Sequence, residues 1–410
     1  MAAVALPGTL DTKGAEYAFV AQCLRDRGHR VLLIDTGTLN PPAILPDFSR
    51  REVAQAAGID LDAVLEKGDR GEAVAAMTRA APVFLSQLHR EGRLDAVLAL
   101  GGSGGTAIAT AAMRALPHGL PKVMVSTMAS GNVGPYVDIS DIVMVPSIVD
   151  IAGLNTISRS VLARAAGALC GMLETAPASS GSRPLVLTSM FGNTTDCVAE
   201  ACRLLEEQGF EAVTFHAVGS GGRALDALAV SMSAAGILDI TTTELADELA
   251  GGVLTAGPDR LGPPARAGIP AVVVPGCLDM VNFHAPETVP QRYAGRTFYR
   301  HNPQVTLMRT NAAECSQLGS ILANKVNAWT GPVAVLLPLQ AISVISAPGQ
   351  PFHDPEADAA LFDNLRAQLR PDIPVFSLDL KINDPAFARA CVDTLLSQLP
   401  NSVFIQRPES

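Results

Sequence analysis

Basic charge is the first thing this sequence lacks. Its 410 residues carry 30 lysines and arginines against 40 aspartates and glutamates, a formal net charge of −10. A chain that grips a phosphodiester backbone needs a cationic stripe, because its affinity comes from neutralising phosphates and releasing their counterions. No such stripe is present, so no nucleic-acid partner is expected. Paired cysteines are missing as well. Cys23, Cys170, Cys197, Cys202, Cys277, Cys315 and Cys391 stand singly, with no Cys-x-x-Cys and no zinc spacing. Their odd number and scatter fit a reducing, cytoplasmic setting. The opening stretch MAAVALPGTLDTKG has neither the basic region nor the long apolar core of a secretion signal. The most membrane-like run, GPVAVLLPLQAISVISAPG from Gly331, is broken by Pro338, Gln340 and two serines. It reads as a buried strand with its connecting loop, and no membrane association is expected.

What is abundant is apolar residue. The chain is 48% hydrophobic and 17% charged, a balance suited to a well-buried, enzyme-like protein of two or three domains. Short β-rich runs alternate with longer helical stretches, the signature of βαβ units. VALPG (4–8), RVLLIDTG (30–37), DAVLALGG (95–102), KVMVSTMASG (122–131) and DIVMVPS (141–147) read as strands, with a long helix over 155–175. The small, polar segment TAPASSGSRP (175–184) then reads as a linker. Beyond it, PLVLTSMFGNTTDCVAEACRLLEEQGFEAVTFHAVGSGG repeats the strand–turn–helix–Gly–strand pattern of the chain's beginning. The expected architecture is α/β: two Rossmann-like domains, 1–178 and 184–410, with mainly parallel sheets and a cleft between them. Ligands of open α/β sheets sit outside the carboxyl ends of their strands.

The residues that can carry chemistry fall at such strand ends. In LALGGSGGTAIAT (98–110), Gly101, Gly102, Gly104 and Gly105 bare the backbone where a helix begins, and Ser103 and Thr106 add hydroxyls. Helix N-terminal amides bind anions, so the loop reads either as a phosphate cradle or as a tight turn. It is no Walker motif, since no Gly-Lys-Ser/Thr is present, and the first strand carries no G-x-G-x-x-G fingerprint. Kinases of the phosphofructokinase and NAD-kinase type place an Asp where Ser103 stands. GTLDTKG (8–14) adds Thr9, Asp11, Thr12 and Lys13 at the first strand's end, as cap and solvated cation or as phosphate and metal-water contacts. Asp35 in DTGT sits where an acidic residue often meets a ribose. Ser130, Gly131 and Asn132 form a further small-residue loop, with Asp138 and Asp141 as carboxylates for Mg²⁺ or, equally, as parts of a plain turn.

In the second half, Gly192, Asn193 and Thr194 and the GSGG at 219–222 again bring hydroxyls and amides to strand ends. The polar stretch 275–314 departs from the smooth α/β pattern and reads as a substrate-facing insertion or a solvated excursion. Within it Arg296, His301 and Arg309 are candidate anion contacts, and Asp279 and His284 candidate acid–base groups. Cys277 reads as a buried thiol.

In order, PGTLDTKG, DTGT, LGGSGGT, MASGN, PGCLDMVNF and HNPQVTLMRT together resemble a long-uncharacterised bacterial and plant family. Its plant branch contains the N-terminal region of the tomato mosaic virus resistance protein. The resemblance spans the whole chain. It implies two Rossmann-like domains, ATP with Mg²⁺ held chiefly by the first, a homodimer, and a barrel-type enzyme as a possible separate partner. On the same resemblance, Gly101 to Thr106 is a phosphate loop ringed by Thr9, Asp11, Thr12, Lys13 and the Ser130–Asn132 loop. The function expected is an ATP-dependent enzyme acting on a small acidic or polyol substrate. The alternative is a nucleotide-gated binding or regulatory protein without turnover.

Overall fold

Strands buried on both faces of a parallel sheet must be apolar nearly throughout, and the N-terminal half supplies five such runs. The computed structural model, which describes residues 1–175 and 183–403, forms them into β1 (Ala3–Gly8), β2 (Arg30–Asp35), β3 (Ala96–Gly101), β4 (Lys122–Ser126) and β5 (Val143–Pro146). They make one parallel sheet in the order β2-β1-β3-β4-β5. The intervening helices are α1 (Leu10–Arg25), α2 (Arg50–Ala56), α3 (Leu61–Leu65), α4 (Arg70–Arg90), α5 (Ser103–Arg114), α6 (Gly134–Val137) and α7 (Thr156–Glu174). Period-two alternation splits the strand residues between two cores. Ala5, Val97, Ala99 and Met124 pack with α4 and α5, whereas Val4, Leu6, Leu98 and Val125 pack with α1 and α7.

The second half repeats the plan with β6 (Leu185–Met190), β7 (Glu211–His216), β8 (Gly236–Thr241) and β9 (Ala271–Gly276). A small detour comes next: β10 (Met280–Phe283), β11 (Phe298–Asn302) and β12 (Val305–Arg309), an antiparallel sheet ordered β10-β12-β11. Then β13 (Val333–Pro338) and β14 (Val375–Leu378) complete a parallel sheet ordered β14-β13-β9-β8-β6-β7. Taken from β7, that order is the order of the first sheet with one strand added. The helices are α8 (Thr195–Glu207), α9 (Ser220–Ser231), α10 (Glu244–Ala250), α11 (Gly262–Ala267), α12 (Ala312–Asn327), α13 (Pro355–Gln368) and α14 (Pro385–Gln398). The apolar run after Gly331 is β13, wholly buried, as its broken pattern predicts. Among the described residues no helix is long and apolar enough to cross a membrane.

By contacts the chain divides into two units, Met1–Ser179 and Ser180–Ser410. Most of the linker expected at 175–184 lies outside the described residues. Each sheet has one place where chain order reverses, and there neighbouring strands lead to helices on opposite faces and part company. In the first unit it falls between β1 and β3, paired only at Val4↔Ala96 and Ala5↔Val97. In the second it falls between β6 and β8, paired from Val186↔Gly236 to Thr188↔Leu238.

The second unit fills its gap with its own side chains. Arg260, 1% exposed, reaches Asp226 at 3.0 Å, Asp239 at 2.8 Å and Glu244 at 2.6 Å. Ser189 Oγ donates to Asp239 (2.7 Å), and Thr194 and Thr241 share a hydroxyl contact of 2.7 Å. One arginine against three carboxylates leaves a surplus of negative charge out of water, which favours protonation. Burial pushes Asp226 up to about 7 against the pull of Arg260. Burial likewise raises Asp247 to about 7 and Asp279 to about 6, opposed by backbone amides in one and by Arg309 in the other.

Each of these three folded values lies above the unfolded one, so the folded state holds the extra protons and its stability falls as pH rises. Trp329, the chain's single tryptophan and 1% exposed, reports on this unit. Its fluorescence unfolding midpoint is expected to fall by several degrees between about pH 5 and pH 8. A midpoint that climbs over that range contradicts the assignment.

Candidate functional site

The corresponding gap in the first unit is open. Tyr17 props it apart from below: its hydroxyl lies 2.7 Å from the Pro7 carbonyl and 2.9 Å from that of Leu100, and accepts from the Leu100 amide at 3.0 Å. The ring fills the space that a Cβ on Gly8 would need, 1.9 Å away. Above it lies a pocket of about 190 Å³, walled by Thr9, Asp11, Thr12 and Lys13 after β1 and by Gly102, Ser103, Gly104 and Gly105 after β3. The pocket therefore stands at the switch point, outside the carboxyl ends of the strands, where open α/β sheets take ligands.

The glycines separate into two kinds. A Cβ on Gly101 would meet the backbone of Gly105 at 3.1 Å, so close strand–helix packing demands that residue. The other three are different. On Gly102, Gly104 and Gly105 the nearest atoms to a Cβ are 3.7–3.8 Å away, ordinary contact distance, and none of the three has positive φ. Neither packing nor backbone conformation asks for glycine there. The Gly102 N-cap makes no side-chain hydrogen bond, so the first amides of α5, a helix of 12 residues, have no intrahelical acceptor and face the pocket with the helix's positive end.

The GSGG of the second unit gives the contrast. Gly219 has φ +84 and would meet the Thr255 carbonyl at 2.6 Å, Gly221 the His216 carbonyl at 1.8 Å and Gly222 the Glu244 carboxylate at 2.0 Å. The amides of Gly219 and Gly222 donate to Glu244 Oε1 at 2.7 and 3.1 Å. That anion-binding turn is occupied by the protein itself.

Around the open pocket, Asp11 Oδ2 accepts from the amides of Leu39 (2.9 Å) and Asn40 (3.2 Å), while Oδ1 is buried without a partner. Lys13 Nζ donates to the Ile151 carbonyl. Four lining residues lie outside the sequence motifs quoted above: Leu39, Arg70, Val74 and Asp150. Arg70 alone had a signal to offer. It is the first residue of α4, where a cation opposes the helix dipole, an arrangement that calls for a reason outside the helix. A neighbouring hollow of about 280 Å³, lined by Thr127, Ser130, Ser147, Ile148 and Val149, shares Asp150 with the pocket. Ile148 holds φ +66 with its side chain 74% exposed, and the Val149 amide donates to the Ser147 carbonyl across it at 2.7 Å. A β-branched residue held in such a turn is strained.

Not every candidate gathers there. Asp35 is buried, its carboxylate bonded to Arg50 Nε (2.7 Å) and the Gly37 amide (2.9 Å), and burial raises its pKa against both. Thr106 is buried and bonds Ser126 at 2.7 Å. Gly131 and Asn132 lie in an exposed loop, with Asn132 capping the Gly134 amide. Asp138 is exposed at φ 48, and Asp141 pairs with Lys122. In the second unit Gly192 is exposed, Asn193 half-buried, and Thr194 sealed inside. Arg296 pairs with Glu314 (2.6 Å) and Arg309 with Asp358 (2.6 Å). Asp279 is fully buried and accepts from Ser343 at 2.7 Å. His284 and His301 are exposed. Cys277 is buried, and burial pushes its thiol well up.

Fold and site thus define a two-unit α/β protein with one open, glycine-walled switch point and one closed by ionic contacts. The chain belongs to the uncharacterised protein family UPF0261: its N-terminal domain model matches residues 2–178 and its C-terminal domain model residues 183–399. A UPF0261 protein of Rhizobium meliloti is 48% identical over 94% of this chain and 96% of its own length. One of Clostridium tetani is 43% identical over 96% and 98%. The ToMV susceptible protein tm-1(GCR26) of Solanum lycopersicum is 36% identical over 97% of this chain and 56% of the tomato protein. Among solved structures, a UDP-N-acetylglucosamine 2-epimerase aligns at a TM-score of 0.25 and 11% identity, too remote to bear on function.

The two kinds of glycine are separable by mutation. In a helix's first turns alanine outdoes glycine where space allows, so Gly104→Ala and Gly105→Ala are expected to raise stability by about 0.5–1 kcal/mol. Gly101→Ala is expected to lower it. Guanidinium unfolding of the three variants checks this, and destabilisation by the first two would make those glycines structural.

Proposed function

We propose that the first unit binds the phosphate chain of a nucleotide, ATP with Mg²⁺, and that the protein uses it on a small acidic or polyol substrate. The observation that carries the reading is the set of three glycines that neither conformation nor packing requires. Side chains absent without structural cause leave room for something outside the chain, and uncapped helix amides favour a phosphate. Lys13 and Arg70 add positive charge to the same walls.

The donor set also suits the metal. Mg²⁺ keeps several waters and is usually held by one or two carboxylates plus phosphate oxygens; Asp11, with Oδ1 unspent, and Asp150 are the lining carboxylates available for it. Bound there, the ion would neutralise charge on the phosphates. The adjoining hollow, with the hydroxyls of Thr127, Ser130 and Ser147 beside Asp150, has the hydrogen-bonding character of a polyol site. Asp150 reaches both spaces and is the natural acceptor for a hydroxyl proton.

Titration calorimetry with ATP and Mg²⁺ tests the binding. Gly104→Val, which puts a side chain into phosphate space, is expected to abolish the heat while circular dichroism stays unchanged. Arg70→Ala is expected to weaken binding about tenfold, ~1.4 kcal/mol. Phosphate release over a panel of acids and polyols then tests turnover. Undiminished binding by Gly104→Val overturns the site, and tight binding without turnover on any substrate makes the protein a nucleotide-gated binder instead.

A further inference from the structure

The antiparallel detour of the second unit carries a cavity that the proposed nucleotide site does not use. It measures about 340 Å³ and lies between one face of the β10-β12-β11 sheet and the strap of residues 286–294. Pro286, Val289, Pro290 and Tyr293 form the strap side; Phe298, Arg300 and Thr306 form the sheet side. The register sets Arg300 directly opposite Thr306, with Phe283 across on the other strand. These residues therefore make one row on one face.

The wall is fixed in place. Tyr293 donates its hydroxyl to the Ala250 carbonyl at 2.6 Å, and its ring stands 5.7 Å from that of Phe283, with the Arg292 guanidinium 4.9 Å from its centre. Pro286 and Pro290 restrict the strap further. A cavity lined by residues already ordered loses little entropy when a ligand enters.

Three features inside it are unspent. Phe298 is 38% exposed, a large ring facing water. Arg300 is exposed and makes no ion pair or hydrogen bond among the described residues, whereas the neighbouring arginines are all engaged: Arg292 with the Ala250 carbonyl, Arg296 with Glu314, Arg309 with Asp358. Thr306 is 3% exposed and its hydroxyl has no partner. Buried hydroxyls are nearly always bonded, so an orphan beside a cavity points to a group not supplied by the chain.

We infer that this cavity is a binding site for a small carboxylic acid with an aromatic or branched apolar body. The apolar strap and Phe298 take the body, and Arg300 takes the carboxylate through its planar fork. A single guanidinium matches one monoanion, whereas a phosphate chain calls for the several donors found in the other unit. Thr306 supplies a hydrogen bond at the floor. The site stands independently of the nucleotide reading.

Ligand-observed NMR and titration with phenylacetate, 4-methylpentanoate and the neutral phenylacetamide test it on the full chain. Both acids are expected to bind, and phenylacetamide about tenfold more weakly than phenylacetate. Arg300→Gln is expected to erase the preference for acid over amide, and Phe298→Ala to weaken both. Thr306→Val is expected to weaken the acids while leaving the unfolding midpoint unchanged or higher, since no internal bond is lost; a structural hydroxyl would lower it. Failure of either acid to bind at up to about 5 mM, a concentration that reveals even weak fragments, overturns the inference. So does equal affinity for the amide, or a change of oligomeric state on Arg300→Gln without any effect on the acids, which would make the groove a protein contact.

Discussion

Two strands that part at the end of a parallel sheet leave a gap, and the chain must decide what fills it. Everything distinctive about this protein comes from deciding differently twice. Beyond Ala5↔Val97 the strands β1 and β3 are held apart by the Tyr17 hydroxyl, and the turn after β3 is bare backbone. Beyond Thr188↔Leu238 the strands β6 and β8 are joined by Ser189, Asp239, Thr241 and Arg260, and the gap is sealed. One topology thus gives an open crevice in one unit and a packed ionic core in the other.

The sealed gap calibrates the open one. Taking an arginine and three carboxylates out of water is costly, and the mutual attraction of the ions repays it only with good geometry and further hydrogen bonds. The second unit meets that condition: Glu244 is bonded to two amides and to Arg260, and Asp226 to Arg260 and the Leu261 amide. There the amides of a glycine turn at a helix start bond the fully buried side chain of Glu244. The first unit presents a similar turn whose amides bond no carboxylate among the described residues, with Lys13 and Arg70 beside Asp11 and Asp150 on the walls.

Much of the fold was legible because parallel strands advertise themselves: VLALG and RVLLID can hardly be anything else between amphipathic helices. The glycine loop and Thr9–Lys13 were legible as a site for the same reason, each ending a recognisable strand. Other residues misled. The GSGG at 219–222 looks like a second cradle, and only the fold reveals that Glu244, distant in sequence, already fills it. Arg309 and Asp35 carry the right charge, yet their partners Asp358 and Arg50 come from other elements. No local pattern joins Arg70 or Asp150 to residues 102–105: Arg70 opens α4, which packs against α5, and Asp150 follows β5 across the sheet. Pairing across the sheet is long-range information that a local pattern does not contain.

The central claim is that the first unit's glycine turn awaits an external anion while the second unit's turn has an internal one. Amide NMR of the ¹⁵N-labelled protein titrated with inorganic pyrophosphate tests it directly. Saturable shifts are predicted at Ser103, Gly104 and Gly105, with Gly219 and Gly222 silent. Shifts at Gly219 and Gly222, or none at the first three, would contradict it.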